Sequence, residues 1–229
     1  LIVMVFVTVA STGDATDFGD LNYLRQNMAS GNSPTRSVFS NGSHSGAHNT
    51  ISYVTTQSQG DAQDFGDTTI ARSSRRACNS PIRMVIGGGG DPSFDEIDFI
   101  TFSTTGNATD FGNLLEAKKY AASASNAVRG LWASGNRTEP SIFYNRIEFV
   151  TIATLGNSID FGDLTRTTAE SNAGAANPTR AIFMGNGPSV GDTIDYIEIS
   201  TGGDAVDFGN LSASRTHNCG CSNAHGGLG

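Results

Sequence analysis

Oxygen-bearing side chains recur in this chain at i, i+3 and i+6, five times over. The triplets are Asp14/Asp17/Asp20, Asp61/Asp64/Asp67, Asn107/Asp110/Asn113, Asn157/Asp160/Asp163 and Asp204/Asp207/Asn210. Hard oxygen donors of this kind suit Ca²⁺. The spacing is not that of an EF-hand, however, and no bidentate Glu recurs with it. The competing chemistry is local, because Asp and Asn side chains bond nearby backbone N–H groups and cap turns. Turn capping is the expected role. Ca²⁺ at Asp14, Asp17, Asp20, Asp61, Asp64 and Asp67 is the alternative, and no other cofactor is indicated.

The middle residue of each triplet opens the same tripeptide. It stands at Asp17-Phe18-Gly19, Asp64-Phe65-Gly66, Asp110-Phe111-Gly112, Asp160-Phe161-Gly162 and Asp207-Phe208-Gly209. In a protein kinase this tripeptide holds Mg²⁺ beside a Gly-rich loop, a strand Lys and a His-Arg-Asp loop. Those parts are missing here, and a motif present five times is no unique active site. His44 and His48 are four residues apart, a metal-binding spacing on a helix, but they lie in the Gly/Ser loop SNGSHSGAHN. They are expected to be surface residues, and His217 and His225 form no set with them. Cys78, Cys219 and Cys221 do not follow the repeat and are expected to be free thiols. No Ser/His/Asp or Cys/His arrangement can be argued, so an enzyme is not expected.

The elements that hold these residues come from the repeat itself. Successive motif Asp residues are 47, 46, 50 and 47 positions apart, the signature of a repeat architecture. Before each motif the text reads MVFVTVASTGDATDFGDL, ISYVTTQSQGDAQDFGDT, IDFITFSTTGNATDFGNL, IEFVTIATLGNSIDFGDL or IDYIEISTGGDAVDFGNL. The first part of each phrase predicts a strand buried on both faces, with Ile147 and Phe149 on one and Val150 and Ile152 on the other. Gly-Asn or Gly-Asp then predicts a turn. The motif Phe reads as a core anchor and its Gly as a second turn point. An Arg follows 17 residues after the motif Gly at Arg36, Arg83 and Arg129, and 18 after at Arg180. Each precedes a short apolar strand and a Gly-rich loop. Pairing of these Arg residues with a motif Asp is expected, and a ring of Arg that grips a glycan is the alternative. In the fifth copy, NAHGGLG, His225 stands where Arg is expected.

The chain has 229 residues, a formal net charge of -8 and a pI near 4.8. Nucleic-acid binding wants a basic footprint, so nucleic acid is not an expected partner. The apolar opening LIVMVFVTVA is too short to span a bilayer and fits the repeat, so membrane insertion is not expected. The 28 Gly residues and short Thr/Ile/Val/Phe runs favour an all-β fold. Residues 1–229 read as a single domain, a five-bladed β-propeller of repeats about 47 residues long. The chain starts and stops in mid-repeat, so Met4 to Val9 is expected to close the ring by pairing with the half-blade Cys219 to Gly229. An open solenoid would want capping repeats, and none is visible.

The whole phrase, seen best in Ile97 to Leu114 and Ile147 to Leu164, resembles tandem-repeat virion proteins of tailed bacteriophages of marine and cyanobacterial hosts. A weaker likeness, through Gly87-Gly88, is to a kelch blade, whose usual Trp is absent. The phage resemblance implies a non-enzymatic structural or surface-recognition module: a tail fibre, tail appendage or head decoration. Its partners would be other virion proteins or a host-surface glycan, in a multi-copy assembly at the virion surface or outside the cell. A secreted lectin-like or kelch-like adhesion propeller is the alternative. Specific contact is expected where the copies differ most: His44 to His48, Gly87 to Asp91, and Trp132 to Arg137.

Overall fold

The computed structural model describes residues 2–8, 10–167, 173–185, 191–214 and 218–220. Every regular element among them is a strand. Twenty strands form four four-stranded antiparallel sheets and two hairpins. The first sheet holds β3 (Ala29–Asn32), β4 (Arg36–Ser40), β5 (Thr50–Thr55) and β6 (Gln63–Asp67). The second holds β7 (Arg76–Asn79), β8 (Arg83–Gly87), β9 (Glu96–Thr101) and β10 (Thr109–Asn113). The third holds β11 (Ala122–Ser125), β12 (Arg129–Ala133), β15 (Arg146–Thr151) and β16 (Ile159–Asp163). Between its two middle strands lies the small hairpin of β13 (Asn136–Arg137) and β14 (Ile142–Phe143). The fourth holds β17 (Ala173–Ala176), β18 (Arg180–Met184), β19 (Thr193–Glu198) and β20 (Val206–Asn210). At the N-terminus β1 (Val3–Phe6) pairs only with β2 (Thr16–Asp20).

Each repeat therefore reads small-residue strand, Arg strand, aromatic strand, motif strand. The small-residue strands β3, β7, β11 and β17 stand side by side in that order. Their Ala, Gly and Ser residues permit this crowding: a Cβ on Gly174 would come 2.1 Å from the Ser123 carbonyl oxygen. The aromatic strands are buried on both faces, as the sequence suggests. Ile147 packs in a cluster with Ile197 and Ile199 of the fourth sheet. Val150 and Ile152 pack in another with Val85 and Ile97 of the second. Three such clusters fill the three gaps between the four sheets.

The motif Gly departs from its expected role. It is a bulge inside the outermost strand, not a turn. In every sheet the register slips beside it, for example between Ile147 and Glu148 opposite Gly162. Its φ lies between +139° and +146° in all five copies, a conformation that L side chains rarely adopt. The motif Phe is a core anchor in the middle of the molecule, with Phe65, Phe111 and Phe161 only 2–4% exposed. Burying each contributes roughly 2–3 kcal/mol. Phe208, in the last copy, is 58% exposed. Pairing of Met4 to Val9 with Cys219 to Gly229 concerns Val9 and residues 221–229, which lie outside the described residues.

Candidate functional site

A repeated clasp joins neighbouring sheets. The motif Phe carbonyl accepts a backbone hydrogen bond from the Gly of the next repeat's Gly-Asx turn. The pairs are Gly60 to Phe18 at 2.8 Å, Gly106 to Phe65 at 2.7 Å, Gly156 to Phe111 at 2.9 Å and Gly203 to Phe161 at 2.7 Å. The Asx side chain accepts an N–H from just after the motif. Asp61 accepts from Asp20 at 2.9 Å, and Asn107, Asn157 and Asp204 accept from Asp67, Asn113 and Asp163 at 3.0 Å each. The first oxygens of the last four triplets thus bond backbone N–H groups across sheets rather than within one turn. Within a repeat, Asp17 and Asp207 accept from the N–H of Gly19 and Gly209. Asp14, Asp61 and Asp64 are exposed, and Asp20 and Asp67 half-buried. Among the described residues no three His, Cys, Asp or Glu side chains gather to hold a metal.

The recurring Arg does not pair with a motif Asp. Arg36, Arg83 and Arg129 each reach into the next sheet and donate to its backbone. Their acceptors are the carbonyls of Phe102 at 2.6 Å, Ala153 at 2.9 Å and Ile199 at 2.5 Å. Each guanidinium also lies 4.5–4.9 Å from the ring centroid of Tyr53, Phe99 or Phe149. That ring meets the motif Phe edge-on, with centroids 5.7–5.9 Å apart. Arg, aromatic and Phe thus form a column across three strands, with cation–π and edge-to-face geometry. Arg180 lies over Tyr196 and bonds Glu198 at 2.5 Å, both exposed.

One end of the molecule carries what does not repeat. After β4, β8 and β12 the chain turns through positive φ at Asn41, Gly88 and Ser134, and an insert leaves the sheet. The inserts are tied to the linkers that enter the following sheets: Gly42 donates to Arg72 at 3.2 Å and Gly89 to Lys118 at 2.8 Å. The linkers are tied to one another at three positive-φ residues, Asn27, Ser74 and Tyr120, each eight positions past a motif Gly. Ser74 N–H donates to Asn27 and Tyr120 N–H to Ser74. Inserts and linkers make one connected face.

Beneath this face lies a layer of buried charge. Arg25, Arg72 and Lys118 are buried, each six positions past a motif Gly. Lys118 meets Glu148 at 2.5 Å, and both side chains are at most 1% exposed. Arg75 meets Asp98 at 2.5 Å with equal burial. Arg72 bonds Glu96 at 2.7 Å and stacks 3.8 Å from the centroid of Phe94. Arg25 bonds Ser52, Asn22 and the Thr50 carbonyl. Asp195 accepts from the hydroxyl and N–H of Thr165. Burial holds its carboxyl above the ordinary range, against the pull of those bonds. Burial likewise lowers Arg75, with Asp98 opposing it. The acceptors Ser52, Asp98, Glu148 and Asp195 occupy one repeat position, between an Ile and an aromatic residue. That polar residue inside a strand buried on both faces was a visible signal for this layer.

The candidate contact residues separate on this face. His44 is exposed and His48 half-buried, with its Nε2 3.2 Å from the His44 carbonyl oxygen. Arg137 is half-buried in the small hairpin. Gly88 to Gly90 are buried against the linkers, and Asp91 is exposed 3.4 Å from Lys119. Trp132 is no contact residue. It is fully buried between two sheets, and its indole N–H donates to the Arg76 carbonyl at 3.2 Å. Its neighbour across the gap is Gly87, where an added Cβ would stand 3.2–3.3 Å from the ring, a tight contact. Cys78 is a buried free thiol and Cys219 an exposed one. His217, His225 and Cys221 lie outside the described residues.

No family model matches the chain, and no curated protein matches it. Its architecture does match solved structures: 174 chains resemble it, too many for the fold to narrow the role. One is the structure of YjhT, with a TM-score of 0.76 and 9% identity over 93% of this chain and 79% of that one. Together with the four-stranded antiparallel sheets, this likeness makes the fold an all-β, β-propeller-like one.

Proposed function

We propose that this chain is a non-enzymatic structural or surface-recognition module of a tailed-phage virion. It binds another virion protein or a host-surface glycan through the insert face. The observation that carries this reading is the contrast between the two parts of each repeat. The clasp and the Arg column recur almost unchanged, while the inserts at 41–49, 88–95 and 134–145 differ in length and composition. A rigid frame that presents variable loops at one end is suited to recognition. We further infer that the sheets are blades of a closed five-bladed ring, with β1 and β2 the outer half of the fifth. Asn218–Gly220 would then be its innermost segment, since a Cβ on Gly220 would come 2.6 Å from the Gly174 carbonyl oxygen. Mass spectrometry of purified virions tests the role: the chain is expected as a stoichiometric component. Its absence from virions, with binding on a glycan array, would instead make it a secreted adhesion propeller.

A further inference from the structure

The innermost strands border two adjoining, partly open cavities of about 430 and 360 Å³. Both are lined by Ser30, Phe39, Ala77, Ser123, Gly174 and Gly220, so they form one channel walled by small residues and the Phe39 ring. Among the described residues that line it, one is charged: Arg76. It stands at the start of β7, beside Asn27, Asn218 and Cys219, at the end where the linkers and inserts lie. Its backbone is pinned by Trp132. Its Nη1 donates to the carbonyl of Arg75 at 3.2 Å. It has no carboxylate partner among the described residues, although the protein carries 22 acidic residues against 14 basic ones. Burial draws its guanidinium below the ordinary value, opposed by Cys219 and Tyr120. Of the buried cations at this end, Arg72, Arg75 and Lys118 have a carboxylate, while Arg25 bonds neutral oxygens through both Nη1 and Nη2. Of the Arg76 guanidinium nitrogens only Nη1 has a hydrogen-bond acceptor among the described residues, so an anion would complete the fork.

We propose that this channel binds a small oxyanion, a carboxylate or a tetrahedral phosphate or sulfate, with Arg76 as its anchor. The guanidinium offers two further nitrogens, Nε and Nη2, in a fork that fits either oxyanion. Asn27, Ser30 and Ser123 supply neutral polar groups along the wall. The site stands on the channel geometry and does not depend on the virion role.

The test is calorimetric titration of the full chain with sodium acetate, sodium phosphate and sodium sulfate, each against chloride at equal ionic strength. One saturable site is expected, weakened about tenfold or more in Arg76→Gln and retained in part in Arg76→Lys. A response to acetate alone assigns a carboxylate ligand, and a response to phosphate and sulfate alone a tetrahedral one. General salting stabilisation by sulfate is not saturable and does not depend on Arg76. Ser30→Phe keeps the cation but fills the channel, and should abolish binding. It decides the matter if Arg76→Gln fails to fold. Saturable binding unchanged in Arg76→Gln or Ser30→Phe overturns the proposal, as does the lack of any saturable binding by the folded wild type.

Discussion

Lys118 and Glu148 are as deeply buried as any Ile of the core, yet both are charged. Glu148 also accepts the Leu115 N–H at 2.6 Å and the Ser158 hydroxyl at 2.5 Å. Removing one partner would leave the other charge with no counter-charge in a dry environment. Lys118→Met is therefore expected to lower stability by about 3–5 kcal/mol in urea unfolding. Lys118→Met combined with Glu148→Gln removes both charges and keeps acceptors for Leu115 and Ser158. The double variant should recover most of the loss. A single variant within about 1 kcal/mol of wild type would mean that the pair is hydrated and screened, as surface pairs are. The same logic separates Arg83 from Lys118. Arg83 donates to backbone carbonyls from a half-buried position, so its deletion leaves no orphaned charge.

At the scale of elements, the motif Gly serves two purposes at once. It makes the bulge, and it admits the next repeat's turn: a Cβ on Gly112 would stand 2.4 Å from the Gly156 carbonyl oxygen. Gly156 provides a control inside the same clasp. It has a φ of +151° but nothing within 4 Å of its absent Cβ. Gly156→Ala should lose about 1 kcal/mol from backbone strain, and Gly112→Ala clearly more, because strain and collision add. Equal losses in thermal unfolding would show that the clasp yields. The sequence made the strands, their two buried faces and the Phe anchor legible, because each rests on a period or a local preference. It did not reveal that the Gly was a bulge rather than a turn, since both want positive φ. Nor did it show where Arg36, Arg83 and Arg129 point. Their acceptors are backbone carbonyls 66–70 residues away, which no side-chain pattern marks. Trp132 looked like a variable loop residue because only one repeat has it. It is instead a local solution to one gap, where Gly87 leaves room for a large ring.

At the scale of the whole molecule, four clasps are made and the fifth decides the architecture. Gly19, Gly66, Gly112 and Gly162 each face a carbonyl oxygen at 2.3–2.4 Å from an added Cβ, whereas Gly209 faces nothing within 4 Å. The apolar residues on both sides are exposed: Val206 and Phe208 at one edge, Val3, Val5 and Val7 at the other. An apolar edge of this kind, with free backbone groups, invites pairing. In the closed ring proposed above, the Gly13-Asp14 turn seats on Gly209 as Gly203-Asp204 seats on Gly162. Gly209→Ala should then cost as much stability as Gly162→Ala. With the seam open, its cost falls to that of Gly156→Ala, the price of strained φ alone. A cost that matches Gly162→Ala only at high protein concentration would mean that the seam is filled by a second copy. Thermal unfolding of the three variants over a hundredfold range of concentration separates ring, open arc and head-to-tail assembly.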